Sequence, residues 1–472
     1  MNTSSSVDTL YTFRLALYSC FRRRADALMD LTAALLTAGP VLSPVHLSLE
    51  AVHRRGWGSL YAALAEGRVD DTALRALLSQ YPLADGQPLY AVDCSVWARC
   101  AAQTSPARGY YHHASRHTGG LPVVAGWSYQ WISQLSFRRD SWTAPLDVQR
   151  VPRTTDVNTA AATQITALLA RLPAGGPVPL FVVDAGYDPV QLARDLAEVR
   201  VATLVRLRKD RCFSADPDPT AVSRMGRPPQ HGHKFDCTDS ASWLPPTAEL
   251  HTEDPQEGAV RVRAWTKRAW TKLHPKQQNH PARGTRTTRP VVRGTLILVE
   301  VSRLPGPPRP WQLLWLWWSG PGMPDLDVVW RAYIRRFDEE HTFRFLKQVL
   351  NWTLPRVRHP EQADRWTWLV LAAYTQLRLA AACVQEQRLP WERPRREPLL
   401  SPYRVRRAFS ALVLRVGTPA NAPKPYGRSP GRPTGRLSAP APRYPVVKTT
   451  SFGSPRVKKR RPPRVAAVAK SA

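Results

Sequence analysis

The stretch PLFVVDAGYDPVQLARDLAEVRVATLVRL, residues 179–207, decides the fold class. Its apolar run at 179–183 predicts a buried strand that ends at Asp184. Asp188 followed by Pro189 is typical of a helix N-cap and first helical position, which predicts a helix over 190–199. The apolar run at 202–207 predicts a second strand. Strand, helix and strand at this spacing indicate parallel pairing and an α/β core.

Similar signals extend in both directions along the chain. A short apolar run at 89–93 also ends in a carboxylate, Asp93, and a second apolar stretch covers 123–129. Asp156 is a candidate N-cap for a helix that reaches 172. Runs at 294–301 and 311–318 are typical of strands buried on both faces. Helical periodicity marks 8–85, 325–350 and 362–387.

These patterns predict five parts. They are an N-terminal helical domain (1–87) expected to bind DNA, the first part of a catalytic core (88–207), an insertion subdomain (208–292), the second part of the core (293–390), and a basic, Pro-rich, largely disordered tail (391–472).

The charge of the chain indicates the kind of partner. Its 67 Lys and Arg exceed its 36 Asp and Glu, which gives a formal net charge of +31. Residues 401–472 hold 17 of these basic residues and no acidic residue. Such an excess favours a polyanionic partner. No run approaches the ~20 apolar residues that span a bilayer, and residues 1–8 lack a signal-peptide pattern. We therefore expect a soluble intracellular protein without membrane or small-molecule partners.

A third acidic residue lies on a predicted helix at 333–347. At about 100° per residue, Tyr333, Arg336, Glu340 and Lys347 form one stripe within about 60° of arc. Glu339 points about 100° away from Glu340, so the two acids are not interchangeable.

Three converging carboxylates would repel one another unless a cation neutralises them. Mg²⁺ prefers carboxylate oxygens, water and phosphate oxygens, and two such ions support in-line phosphoryl transfer. Asp93, Asp184 and Glu340 are therefore candidate catalytic residues and metal ligands for two Mg²⁺ ions, which Mn²⁺ could replace. Arg336 and Lys347 are candidates for holding DNA phosphates, and Tyr333 on the same stripe is a further candidate for DNA contact.

These residues resemble those of bacterial insertion-sequence transposases of the DDE superfamily, in the group with a Tyr-x2-Arg-x3-Glu-x6-Lys signature. Tyr333, Arg336, Glu340 and Lys347 match the signature, and Asp93 and Asp184 match the two Asp motifs. The resemblance covers roughly residues 20–435. It implies a ribonuclease-H-like mixed sheet flanked by helices, with a β-rich insertion, an N-terminal helical domain and a disordered basic C-terminal tail.

The resemblance also implies an activity. The protein would bind the terminal inverted repeats of its element as a homodimer on paired double-stranded DNA ends, in a bacterial cytoplasm, associated with the nucleoid. Metal-dependent cleavage would free a 3′-hydroxyl that attacks target DNA. Two alternatives stay open. They are a DNA-binding protein without catalysis, such as a repressor or decayed transposase, and a nuclease that cuts without strand transfer.

Basic residues outside the signature are further candidates for DNA contact. Arg261, Arg263, Lys267 and Arg268 alternate with Trp residues in the insertion, although a plain amphipathic strand explains them as well. Arg432 and Arg436 lie in a tail segment that resembles a minor-groove hook, with a solvated basic linker as the alternative. The aromatic run Trp311, Trp315, Trp317 and Trp318 favours a core role over a base-stacking surface.

Overall fold

A computed structural model of the chain describes most of its residues. The described ranges are 3–39, 43–83, 88–113, 122–138, 140–173, 175–214, 232–266, 272–273, 292–303, 312–393, 399–425, 431, 435 and 439–447.

These ranges form ten α-helices and fifteen β-strands. The helices are α1 (Thr3–Ser19), α2 (Ala25–Thr37), α3 (Trp57–Glu66), α4 (Asp71–Ser79), α5 (Val157–Leu169), α6 (Pro189–Asp195), α7 (Leu326–Arg335), α8 (Phe337–Gln348), α9 (Pro360–Ala380) and α10 (Pro402–Val416). The strands are β1 (Phe21–Arg23), β2 (Arg68–Val69), β3 (Leu89–Ala98), β4 (Gly109–His112), β5 (Val123–Gln134), β6 (Ala144–Val151), β7 (Leu180–Val183), β8 (Ala202–Arg206), β9 (Cys212–Ser214), β10 (Lys234–Asp236), β11 (Ala248–Asp254), β12 (Gly258–Trp265), β13 (Lys272–Leu273), β14 (Thr295–Val301) and β15 (Gln312–Ser319). None of these helices is long and apolar enough to cross a membrane.

A ten-stranded mixed sheet forms the centre of the molecule, in the order β11-β12-β14-β15-β8-β7-β3-β5-β4, with β6 also paired to β5. Strand β7 pairs in parallel with both β3 and β8. The parallel β7–α6–β8 unit predicted from residues 179–207 is therefore confirmed, including the N-cap at Asp188, whose side chain accepts a hydrogen bond from the Val190 amide. This is a ribonuclease-H-like α/β fold.

Helices cover both faces of this sheet. On one face, residues of α5 and α6 pack against alternate residues of β3 and β7, such as Val92 and Val183. On the other face, Ala91 and Val182 pack with Trp330 of α7. A larger helical layer joins α1–α4 to α9 and α10, and it contacts the sheet through aromatic residues of β5 such as Trp131. The prediction of helices over 8–85 is confirmed.

The predicted insertion does not form a separate sheet throughout. Its strands β9, β10 and β13 form a small three-stranded sheet, but β11 and β12 extend the central sheet because β12 pairs with β14. In β15, Trp315 and Trp317 are buried, which confirms their core role. Trp311 lies outside the described residues.

Three sequence predictions need correction. The helix predicted over 325–350 is interrupted at Arg336, which is the C-cap of α7 and the N-cap of α8. The strand predicted to end at Asp93 continues to Ala98, because residues 93–98 pair with β5. Residues 402–416, which were assigned to the tail, form α10 and bury Val405 and Phe409 against the helical layer. The described residues after α10 contain no helix or strand.

Candidate active site

The first two candidate acids are neighbours on adjacent strands. Val92 of β3 pairs with Val183 of β7 in the parallel register, so Asp93 and Asp184 come next on the two strands. Side chains alternate along a strand, which places both acids on the face that carries Ala91 and α7. Asp184 directly follows β7, as predicted, whereas Asp93 lies in the middle of β3.

Arg336 brings the third acid to this pair. One terminal nitrogen of its guanidinium lies 3.4 Å from Asp93 Oδ2, and the other donates a hydrogen bond to Glu340 Oε1 at 3.0 Å. The Arg336 side chain is only 2% exposed. Its guanidinium carbon lies 5.5 Å from the ring centre of Tyr333 and 4.9 Å from that of Phe337. The guanidinium therefore stands between two acids and is enclosed by two aromatic rings.

The charged groups that act on Asp93 include Arg336 and the other two acids. Burial raises the pKa of Asp93 to about 6, Arg336 and the Cys94 amide oppose this change, and the charges of Asp184 and Glu340 add to it. For Arg336, burial lowers the pKa, but the charges of Tyr333 and the three acids raise it by more, so the pKa stands above its ordinary value. The buried Arg336 guanidinium therefore interacts electrostatically with all three carboxylates.

The donor chemistry of this site fits a hard divalent cation, since carboxylate oxygens are what Mg²⁺ and Mn²⁺ prefer. The carboxylates are arranged around Arg336 instead of forming a closed cluster. Within the described ranges, no three His, Cys, Asp or Glu side chains are grouped closely enough to form a ready metal site. The residue types are therefore those that bind a divalent metal ion. In the present arrangement, the positive charge beside them comes from Arg336.

The adjacent acids Glu339 and Glu340 have different environments, as the helical geometry predicts. The Glu340 side chain is 50% exposed, whereas Glu339 is fully buried. Burial raises the pKa of Glu339 to about 8. Among the described residues its carboxylate finds no hydrogen-bond partner of normal geometry, although the nearby Ser133 hydroxyl favours the charged form. The sequence pattern separated the two acids but gave no signal that Glu339 is buried.

The other signature residues lie along the same two helices. Tyr333 is fully buried, and its hydroxyl makes no hydrogen bond of normal geometry to the described residues. Burial raises the pKa of this hydroxyl. The Lys347 ammonium lies two turns beyond Glu340 on α8, 5.7 Å from the ring centre of Trp352 and 6.0 Å from that of Phe343. Lys347 therefore lies further along the same helical stripe, at a distance from the three candidate acids.

A polar network that sequence reasoning missed lies on the opposite face of β3. Cys94 Sγ is 3.3 Å from the Tyr187 hydroxyl, which donates a hydrogen bond to Gln130 at 3.1 Å. Gln130 in turn donates to Gln164 of α5 at 2.9 Å. Burial raises the pKa of the Cys94 thiol to about 11. A protonated thiol here helps fix the strand that carries Asp93. These residues lie far apart in the chain, so no local pattern in the sequence predicts that they meet.

The basic residues predicted in the insertion and tail are only partly described. Arg261 and Arg263 face away from the apolar side of β12 and form ion pairs with Glu249 and Glu300. The Arg263 guanidinium also lies 5.1 Å from the ring centre of Trp243. Lys267, Arg268, Arg432 and Arg436 lie outside the described residues.

Comparison with known families identifies the superfamily of the chain. The sequence profile of the DDE superfamily endonucleases matches residues 16–276, more than half of the chain. The matched region includes Asp93, Asp184 and the strands that carry them. The chain belongs to the DDE superfamily endonucleases, a group that generally acts on nucleic acid with divalent metal ions. A search among curated proteins finds no match.

Proposed function

We propose that this DDE superfamily endonuclease is a transposase that cuts and joins the ends of an insertion sequence. The observation that carries the proposal is the convergence of Asp93, Asp184 and Glu340 around one buried guanidinium. An acidic site of this kind at the sheet face is suited to phosphoryl transfer, and the net charge of +31 favours a DNA substrate.

The roles of the acidic residues follow from their places in the site. Asp93 has the central position, because it neighbours Asp184 across the strands and contacts Arg336. We infer that Asp93, Asp184 and Glu340 would together hold two Mg²⁺ or Mn²⁺ ions. Such ions would supply activation of the attacking oxygen and stabilisation of the leaving oxygen in an in-line displacement.

The remaining residues serve to orient the site and the DNA. Arg336 holds Asp93 and Glu340 together, and Lys347 extends the positive surface along α8. Arg261 and Arg263, with Lys267, Arg268, Arg432 and Arg436 from outside the described residues, are proposed as contacts to the DNA backbone. The proposed substrate is the terminal inverted repeat, bound by a homodimer on paired ends. Cleavage releases a 3′-hydroxyl, and strand transfer joins that hydroxyl to target DNA.

The test is cleavage of the element ends by purified protein with Mg²⁺ or Mn²⁺. Asp93→Asn, Asp184→Asn and Glu340→Gln should each lower cleavage by at least about a thousandfold while end binding stays near the wild-type level. Glu339→Gln is the matched control, because it removes the adjacent acid outside the proposed ligand set. Its cleavage should stay within about tenfold of wild type.

The products of the same reaction separate the alternatives. Joined strands support a transposase, whereas nicked DNA without joined product indicates a nuclease. Binding of the ends without any metal-dependent cleavage by the wild-type chain indicates a repressor or a decayed transposase. If one of the three acid variants cuts as well as wild type, the proposed role of that residue is wrong.

A further inference from the structure

Four arginines lie close together beyond the C-terminal end of β3, the strand that carries Asp93. Arg99 follows β3, Arg108 precedes β4, and Arg356 and Arg358 lie between α8 and α9. We call these four residues the arginine surface. Hydrogen bonds connect the segments that carry them. Arg99 donates a hydrogen bond to the Val357 carbonyl at 2.9 Å, and Arg108 donates one to the Arg99 carbonyl at 2.8 Å.

No acidic residue in the described part of the chain pairs with the arginines of this surface. Arg99, Arg108 and Arg358 donate their hydrogen bonds to backbone carbonyls, and none of the four arginines forms an ion pair with a described Asp or Glu. Burial lowers the pKa of Arg99, and the positive charges of Arg356 and Arg108 lower it further. Arg356 and Arg358 are exposed. Four unpaired cations in one place favour an external polyanion.

The described part of the C-terminal segment contacts the same region. The Tyr444 amide donates a hydrogen bond to the Gln103 carbonyl at 2.7 Å, and the Val447 amide donates to the Cys100 carbonyl at 3.1 Å. Arg108 also donates to the Pro445 carbonyl at 2.7 Å. Residues 444–447 therefore lie against the loop between β3 and β4. The sequence that follows, residues 448–472, has eight Lys and Arg and no acidic residue.

The arginine surface also lies in line with the catalytic acids. From Asp93, β3 runs five residues to Ala98, or about 17 Å at the usual rise per residue. Helix α8 follows a similar course, since Trp352 beyond its end contacts Tyr129 and Trp131 of β5, which pairs with this part of β3. Because successive phosphates of one DNA strand advance about 3.4 Å along the axis, this distance corresponds to about five nucleotides.

We propose that the arginine surface binds the phosphate backbone of duplex DNA about five nucleotides from the bond that is cut. The position relative to the cut bond rests on the proposed function, whereas the binding of backbone phosphates does not. Arg356 and Arg358 are exposed, and they contact the phosphates of a duplex that approaches from solvent. Arg99 and Arg108 hold the two loops and the C-terminal segment in place beneath them.

The test is the salt dependence of binding to a fluorescein-labelled duplex of about 30 base pairs in a chelator, where no cleavage occurs. Each lost phosphate contact reduces the slope of log K against log salt by about 0.9. The double variant Arg356→Gln/Arg358→Gln should therefore lose about 1.8 from the slope and bind at least about tenfold more weakly at ~0.1 M salt. Exchanging both residues for lysine should restore most of the slope.

A matched control removes the same net charge elsewhere. Arg194 and Arg331 are also exposed, but each is paired with an acidic neighbour, Asp195 and Asp327. Arg194→Gln/Arg331→Gln should keep the wild-type slope. If both double variants change the slope equally, the effect is one of net charge and the proposal is wrong. Loss of folding stability without a change in slope would also overturn it.

The proposed function and this inference fail in different ways. If the three catalytic-acid variants cut DNA normally, the transposase assignment fails, but the slope measurement still decides whether the arginine surface binds duplex. If cleavage depends on the acids while Arg356→Gln/Arg358→Gln binds like wild type, only the inference is wrong.

A chain that ends at Val447 should show a further loss of slope, because it lacks eight basic residues. An unchanged slope for this shortened chain would contradict the contribution of the tail.

Discussion

Replacing Arg336 by glutamine tests whether this guanidinium is the cation that holds the acidic site together. Arg336 is 2% exposed, and its partner Asp93 is 19% exposed. Removing one member of a buried ion pair leaves the other charge without compensation and costs about 3–5 kcal/mol. We therefore expect Arg336→Gln to lower the free energy of unfolding by about that amount at pH 8.

The loss should depend on pH because Asp93 can take up a proton. Its pKa is about 6 with Arg336 present, above the ordinary value of 3.8. An acid whose pKa is raised in the folded state contributes stability below its ordinary pKa, and this contribution is lost as pH rises through the folded pKa. At pH 5 Asp93 is mostly protonated and needs no cation, so the cost of Arg336→Gln should fall to about 1 kcal/mol.

Urea unfolding in chelator at pH 5 and pH 8 measures both values. Arg335→Gln is the matched control, since Arg335 is the preceding residue and forms its own ion pair with Asp338 at 2.8 Å. Mg²⁺ should then stabilise Arg336→Gln more than wild type, because the ion no longer competes with a guanidinium for the same carboxylates. Arg335→Gln should show the wild-type response to Mg²⁺.

Two results would refute this reasoning. A loss below about 1 kcal/mol at pH 8 would mean that Asp93 does not depend on Arg336. Equal stabilisation of wild type and Arg336→Gln by Mg²⁺ would mean that metal and guanidinium do not use the same oxygens.

The parts of the site that could be predicted depend on local signals. Asp184 follows an apolar run, and Asp188 with Pro189 marks the start of the next helix, so the strand, its end and the helix are all encoded within a few residues. The common orientation of Tyr333, Arg336 and Glu340 also follows from helical geometry alone. The interruption of the helix at Arg336 does not disturb it, because Arg336 keeps helical backbone angles, with φ −55° and ψ −31°.

The parts that could not be predicted depend on tertiary contacts. The apolar run ends at Asp93, but pairing with β5 carries β3 on to Ala98. The sequence predicted that Arg336 holds DNA phosphates, because it lies on one helical stripe with Glu340 and Lys347. Its burial against Asp93 depends on a contact between residues 243 positions apart. The basic composition after residue 401 likewise concealed the apolar positions of α10.

Three further predictions test the scaffold and the buried acid. Trp352 is fully buried, and its ring centre lies 4.9 Å from that of Trp131. Trp352→Ala should cost about 3–5 kcal/mol in urea unfolding, and a loss under about 1 kcal/mol would contradict its core role. The Asp156 side chain accepts two backbone N–H groups at the start of α5, so Asp156→Ala should cost about 1 kcal/mol by thermal unfolding, whereas an unchanged melting temperature would show that the cap adds nothing. Glu339 has a pKa of about 8 in the folded protein against an ordinary 4.5, so its contribution to stability is present below pH 4.5 and is lost as pH rises through 8. In chelator, the free energy of unfolding of wild type should fall by up to about 4 kcal/mol between pH 5 and pH 9 because of this group. Glu339→Gln should not show this loss, because glutamine does not titrate. Parallel unfolding curves for the two proteins across this range would show that the Glu339 carboxyl does not hold its proton in the folded state.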